Sequence, residues 1–355
     1  MVVAYLSQVN TPGVAQGDCG IAGQYRAMHT VIVYASADSP AFAQALRSTP
    51  LPTLARLLHT WKPGPLQATS PGSYCPLPEW VEACALGIAN PSASGAMAAG
   101  ADGLLAGAER QARLLGLPEA AADEGWAWIT LCHWQVNADH VLLHDPAGLQ
   151  LGAEDAQGLL QAMRPYFEED GLRLYPGGQP GVWLACGRAL RGLPTASLER
   201  VRGQALDAWL PESAPLRRLQ NEMQMLLYTH PVNDVRAAKR LPLVNAFWIS
   251  GTGSLPPGWQ PRADVQVHTG LRDAVRAQDP KAWAQAWARL DAEVLAPLER
   301  ASDLTATGAD AAAVQLTLCG EQATQTWSPQ ALSFWQTLAR RWRAGTPAAD
   351  FLKNL

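Results

Sequence analysis

The chain predicts an α/β fold with a mostly parallel sheet flanked by helices. Two observations carry that prediction. Strand-like runs rich in β-branched and aromatic residues alternate with helix-like runs along most of the 355 residues, and strands that alternate with helices build parallel sheets with helices on their faces. Apolar residues make up 48% of the chain, enough to bury the core of one large α/β domain or of two domains. No repeat of the roughly 20–50 residues that marks solenoids or propellers is visible.

Taken in order, residues 1–27 lack periodicity and carry Gly13, Gly17 and Gly20. They read as a flexible extension, with Met28 a candidate natural start. The remainder, 28–355, reads as the folded body, with 126–240 as a subdomain inserted in it. Strands are expected at 30–35, 126–132, 140–144, 172–175, 182–186, 244–250, 264–267 and 314–319. Helices are expected at 41–46, 52–59, 79–86, 104–115, 153–170, 215–229, 280–301 and 330–343. The helix at 153–170 opens acidic, which suits a helix N-terminus. The stretch 91–125 is rich in Ala and Gly and reads as a helix with loose flanks. Fourteen tryptophans are unusual, and core filling is their ordinary role. Trp283 and Trp287, four apart, share one helix face. Phe334, Trp335, Leu338 and Trp342 form a second stripe, either core or a partner-binding face.

Composition excludes several functions. A net charge of -4 and a pI near 6.0 give no electrostatic footprint for nucleic acid. No apolar run approaches the roughly 20 residues of a membrane span. The six cysteines (19, 75, 84, 132, 186 and 319) are scattered, so structural zinc and a disulfide framework are disfavoured and a cytoplasmic setting fits. His140 and His144 on a strand lie about 13 Å apart, too far to share one zinc.

The densest chemistry lies between 214 and 256. Leu216, Leu219, Met223, Leu226 and Leu227 form an apolar helical stripe. Asn221, Gln224 and Tyr228 form a polar row on another face, read either as donors and acceptors for a ligand or as an internal network that positions the next turn. His230-Pro231 stops the helix and holds His230 extended. Asn233 can cap the following segment. Arg236 suits a carboxylate or phosphate with its planar fork, or else pairs with a nearby acidic residue. Asn245 falls in a strand, where a buried amide needs partners, and Gly251-Thr252-Gly253 allows a tight turn and close approach. As a phosphate loop, a lone Gly-X-Gly is weak.

The segment His230-Pro-Val-Asn233, Arg236, Pro242, Asn245, a strand and Gly251-X-Gly253 resembles, in order and spacing, the archaeal-type cofactor-independent phosphoglycerate mutases of the alkaline phosphatase superfamily. Looser likeness extends from Met28 to Cys319, at 51–58, 140–170 and 286–298. The chain also resembles a group of proteobacterial phosphoglycerate-mutase-like and regulatory proteins. The resemblance implies an alkaline-phosphatase-like fold.

The departures are systematic. Where the family carries an Asp-Gly-X-Gly-Asp metal loop, this chain has Ser36-Ala-Asp-Ser-Pro40. The arginine-rich clamp would fall at 146–149, which has no Arg. Ser250 replaces the Arg before the Gly-X-Gly turn. The late Asp-His pair is Gly320-Glu321, and only His268 and Asp273 mark the Asp-X-X-Gly-His-Asp cluster. Losing these ligands removes activation of the nucleophile and charge stabilisation of the phosphoryl group. The expectation is therefore a degenerate pseudoenzyme with no catalytic residue, no metal and no cofactor. It would act through a protein partner or a small anionic ligand at His230, Asn233, Arg236, Asn245, Gly251, Gly253, Asn221, Gln224 and Tyr228. The alternatives are an active metal-dependent mutase or phosphatase with a diverged site, and metal-free chemistry around His230, Asn233, Arg236 and Asn245.

Overall fold

The computed structural model describes residues 28–68, 72–89, 97, 100–118, 124–305, 314–329 and 348–355. The extension 1–27, the helix expected at 330–343 with its aromatic stripe, and the stretches 91–96, 98–99 and 119–123 lie outside the described residues.

In chain order the first half contains β1 (Met28–Val33), α1 (Pro40–Ser48), α2 (Pro52–Thr60), β2 (Lys62–Pro63), β3 (Gln67–Ala68), α3 (Leu77–Ala85), α4 (Gly107–Leu114), β4 (Gly125–Cys132), β5 (Trp134–Val136), β6 (Val141–Leu143) and α5 (Ala153–Glu169). The second half contains β7 (Arg173–Gln179), β8 (Val182–Gly187), α6 (Leu198–Val201), α7 (Ala214–Tyr228), α8 (Pro231–Ala238), β9 (Ala246–Ser250), β10 (Val265–His268), α9 (Arg272–Arg276), α10 (Pro280–Leu290), α11 (Ala296–Thr305), β11 (Val314–Cys319), β12 (Ala323–Ser328) and α12 (Ala348–Leu352).

The strands form two main sheets. The first runs β10-β1-β11-β12-β2, with β3 also on β12. The second runs β7-β8-β4-β9, and β5-β6 is a separate hairpin. The expectation of a mostly parallel sheet is corrected here. Among the described strands of the two main sheets, only β1 pairs in parallel, with β10 and β11. All pairings of β12, and all those in the second sheet, are antiparallel. Short turns at 180–181 and 320–322 close hairpins, and a hairpin cannot be parallel. Every strand of the second sheet lies between 125 and 250, while the first sheet takes its strands from before and after that segment. β9 lies just beyond 240 and pairs with β4.

Packing follows the two-residue period of the strands. Val31, Ile32 and Val33 are each fully buried, so both faces of the first sheet are covered at β1. In β4, Ala127, Ile129 and Leu131 pack with Leu159, Met163, Phe167, Leu219 and Met223 of α5 and α7. Trp126 and Trp128 pack instead with Ala108 and Ala112 of α4. The helix predicted at 280–301 continues through a π turn, Asp291–Leu295, between α10 and α11. Its Asp291 carboxylate accepts from the Leu54 and Thr53 amides at 2.7 and 3.2 Å. A buried anion is thereby placed on the N-terminus of α2, where free N–H groups favour negative charge.

Candidate functional site

The residues of the 214–256 motif take their places in the scaffold. His230 is extended (φ -77, ψ 131) and is the N-cap of α8, its Nδ1 accepting from the Val232 amide. Asn233 is buried within α8. Its Nδ2 donates to the carbonyls of Leu227 and Val244 at 2.7 Å, and its Oδ1 accepts from the Val244 amide at 2.9 Å. That amide therefore joins two segments rather than capping a helix. Arg236 is 1% exposed. Its Nε donates to the Pro242 carbonyl, its Nη2 to the Leu149 carbonyl, and its Nη1 lies 3.8 Å from Asp155. Burial lowers its pKa, and no nitrogen is left facing solvent. Asn245 acts as an extra rung of sheet: Oδ1 accepts from the Trp134 amide and Nδ2 donates to the Trp134 carbonyl.

The two glycines are required by their backbone and by space. Gly251 has φ 69, and a Cβ there would sit 2.5 Å from Trp128 Cδ1. Gly253 has φ 133, and a Cβ would meet the Leu104 carbonyl at 2.6 Å. The polar row does not join this network. Asn221 and Tyr228 are exposed, Gln224 is half-buried, and none has a side-chain hydrogen bond to the described residues. The motif thus brings Asn233, Arg236 and Asn245 together with backbone, not with an open surface.

The open crevice lies elsewhere. β1, β10 and β11 run parallel, in register Ile32 with His268 and Val33 with Cys319. The chain therefore leaves all three strands at one end, the end where α/β sheets bind ligands. A cleft of about 830 Å³ opens there, within the range of small-molecule sites. Tyr34 and the 321–322 turn line it from the first sheet, Val275 and Arg276 from α9, Leu77 and Pro78 from α3, and Glu199, Arg200 and Arg202 from α6 and the residues after it.

Two lining residues, Tyr34 (φ 61) and Gln278 (φ 50), have left-handed backbones. For non-glycine residues this costs about 1–3 kcal/mol each and persists only where the surroundings impose it. The surroundings of Tyr34 are the tryptophan pair: Trp283 Nε1 donates to the Tyr34 carbonyl and Trp287 Nε1 to that of Ala35. Both rings are fully buried, so the core role expected for them also pins the strand end.

Beneath the cleft lies a network of buried charge that sequence reading missed. Arg272 and Glu82, each 1% exposed, form an ion pair. The Arg272 guanidinium lies 5.8 Å from the centroid of Tyr34, and its Nε and Nη1 have no acceptor. Arg276 grips Glu199 through both Nε and Nη2, tying α9 to α6. Burial opposes the charge of Glu199, but Arg276, Arg202 and Arg272 overcome it and hold its pKa below the ordinary carboxylate value. Glu79 has the opposite balance: burial and then the Glu199 charge push it up to about 7. Asp38 and Glu321, on the loops that follow β1 and β11, tie those two loops to each other. The Asp38 amide donates to Glu321, and Gln322 donates to the Asp38 carboxylate, each at 2.7 Å.

A divalent-metal centre needs several converging oxygen or nitrogen donors. Among the described residues no three His, Cys, Asp or Glu side chains converge in that way, and guanidinium groups stand at this end of the sheet. That donor set does not fit two divalent metals. Among the described residues no helix is long and apolar enough to cross a membrane.

The fold is a mixed α/β one, with a multi-stranded sheet flanked by helices and a second antiparallel sheet. No family model matches the chain, and no curated protein matches it. Among solved structures it is similar to the PH0037 protein of Pyrococcus horikoshii, at 14% identity and a TM-score of 0.43, over 91% of this chain and 92% of that one. It is also similar to a cofactor-independent phosphoglycerate mutase from Thermoplasma acidophilum, at 12% identity and a TM-score of 0.36, over 93% and 99%. At these values neither likeness carries weight for function.

Proposed function

We propose that the chain is a pseudoenzyme related to the phosphoglycerate mutases, acting by binding a small anionic ligand at the carboxyl end of β1, β10 and β11. The observation that carries this reading is the exchange of charge at that end. Where metal-dependent chemistry needs several carboxylates and imidazoles around cations, this cleft presents Arg200, Arg202 and Arg276 on its wall beside Glu199 and Glu321, with Arg272 beneath. A guanidinium holds an oxyanion through paired N–H donors without needing a metal. Arg276 is already paired with Glu199 and Arg272 with Glu82. Arg202 is likewise answered by Asp145 and Glu199, so these pairs shape the site and Arg200 supplies the positive charge left for a ligand.

The test is elemental analysis of the purified chain, together with mutase and phosphatase assays in manganese, zinc and magnesium. The expected result is less than one metal per chain and no metal-dependent turnover. Two metals per chain, with activity that depends on them, would overturn the reading in favour of an active enzyme with a diverged site.

A further inference from the structure

We infer that Arg200, seated on the indole of Trp209, anchors an oxyanion subsite that takes the carboxylate or phosphate of a small polar ligand. This rests on the reading of the cleft as an anion site. It goes further by naming the anchor and the part of the ligand that meets it.

The assignment follows from asking where each cation on the cleft wall sends its charge. Arg276 is gripped by Glu199 and also lies 3.7 Å from Asp273. Arg202 is shared between Asp145 at 3.2 Å and Glu199 at 3.9 Å. Arg200 differs: among the described residues it faces no carboxylate. Its guanidinium carbon lies 5.6 Å from the centroid of the Trp209 ring, and its Nε is buried with no acceptor. A half-buried guanidinium with only a ring face for a partner keeps unmet donors and unmet charge, and both are satisfied by an incoming oxyanion.

The seat of Arg200 is built, not incidental. Trp209 packs edge-on against Tyr74 at 5.8 Å. The Tyr74 amide donates to the Asp102 carboxylate, and the Tyr74 carbonyl accepts from the Ser197 amide at 3.0 Å. The Ser197 hydroxyl in turn accepts from the Arg200 amide at 3.1 Å. Backbone, ring and guanidinium are therefore held in one connected frame, and such preorganisation favours binding by lowering the ordering cost. The rest of the cleft fits the body of the ligand. Gln204 offers an amide suited to hydroxyl groups and Gln278, whose Nε2 donates to the Val275 carbonyl at 3.1 Å, offers its amide oxygen, while Leu77, Pro78 and Val275 offer an apolar wall. The class of ligand is a small hydroxylated carboxylate or phosphate ester.

The experiment is calorimetric titration of the full chain with inorganic phosphate and, separately, with citrate, both at ionic strength matched with chloride. At least one should bind, and which of the two binds more tightly tells phosphate from carboxylate. Arg200→Gln should weaken that binding by roughly 10- to 100-fold, the loss typical of one charged hydrogen-bonding partner. Arg200→Lys keeps charge and fold but loses the planar fork, and should weaken it several-fold. Arg218→Gln, at the exposed pair with Asp170, should leave it unchanged. If wild type binds neither anion, the anion-site reading and the subsite fall together. If wild type binds but both Arg200 variants bind equally well, the Arg200 assignment is wrong: the cleft reading then stands if Arg202→Gln weakens binding and falls if it does not.

Discussion

Replacing Arg272 with methionine should lower folding stability by about 3–5 kcal/mol, the loss seen when one partner of a buried ion pair is removed. The magnitude follows from the burial of both partners: Arg272 and Glu82 are each 1% exposed. Methionine fills much of the arginine stem, so the loss is electrostatic rather than a cavity. It leaves the Glu82 carboxylate in the core, where its Oε1 already lacks a partner and Arg110 is the remaining cation acting on it. At about 2.1 cal/mol/K of unfolding entropy per residue, 355 residues give about 0.75 kcal/mol/K, so the thermal midpoint should fall by about 4–7 °C. The double variant Arg272→Met, Glu82→Leu should recover most of that loss, because well-packed apolar pairs match or exceed buried ion pairs in stability. Urea unfolding and calorimetry on wild type, both single variants and the double close the cycle. An Arg272→Met variant within about 1 kcal/mol of wild type, or a double as unstable as the single, would show that the pair is not buried as described. Recovery in the double would mean that the arginine is not retained for stability.

Three further outcomes are expected. The folded chain holds a proton on Glu79, raised to about 7 from an ordinary 4.5, that the unfolded chain releases between those values. This group's contribution to stability is therefore complete below pH 4.5 and is lost as pH rises to 7. Against wild type, Glu79→Gln should gain up to about 3 kcal/mol between pH 5 and 8, and identical pH profiles from urea unfolding would refute the burial of that carboxyl. Asn245→Ala should cost about 1–3 kcal/mol, because both amide groups pair with Trp134 backbone; equal urea midpoints would show that the rung is dispensable. Gly251→Ala should cost at least about 1–2 kcal/mol for the left-handed backbone alone, with a change in near-ultraviolet dichroism as Trp128 is displaced; an unshifted melt would contradict the close approach of Gly251 to that indole.

Most elements were legible because their periodicity is strong. The strand at Val314–Cys319, the helix at Pro280–Leu290 and the acidic start of the helix at Ala153 all fall where alternation and helical spacing put them. β12 was missed because Ala323–Ser328 is mostly polar (Thr324, Gln325, Thr326 and Ser328), with Trp327 as its one large apolar residue; its pairing with β11, not its hydropathy, makes it a strand. Sheet direction was misread because strand–helix alternation is silent on hairpins joined by two or three residues.

The cleft was not legible for a different reason. Its charges come from α3, α6 and α9, three segments far apart in sequence, and a lone charge normally reads as a solvated face. One signal was available. Arg272 and Arg276 are like charges at i and i+4 on one short helix, and Glu79 and Glu82 are like charges at i and i+3 on another. Such pairs repel unless another element answers them. The Asn233, Arg236 and Asn245 motif stood out in sequence because its residue types are distinctive, and the structure shows side chains that serve backbone.

The placement of the second sheet also sets an order of events during synthesis. All four of its strands lie within 125–250, so they can pair while the rest of the chain is still being made. β1 cannot: its parallel neighbours begin at Val265 and Val314, the farther one 286 positions after Met28. At roughly 5–20 residues per second, the Thr-Val-Ile-Val edge of β1 waits on the order of 15–60 s on the ribosome for that neighbour. Long-range parallel pairing is slow in any case. During that interval one side of β1 is an unpaired edge, and the first sheet depends on whatever shields it until residue 319 has emerged.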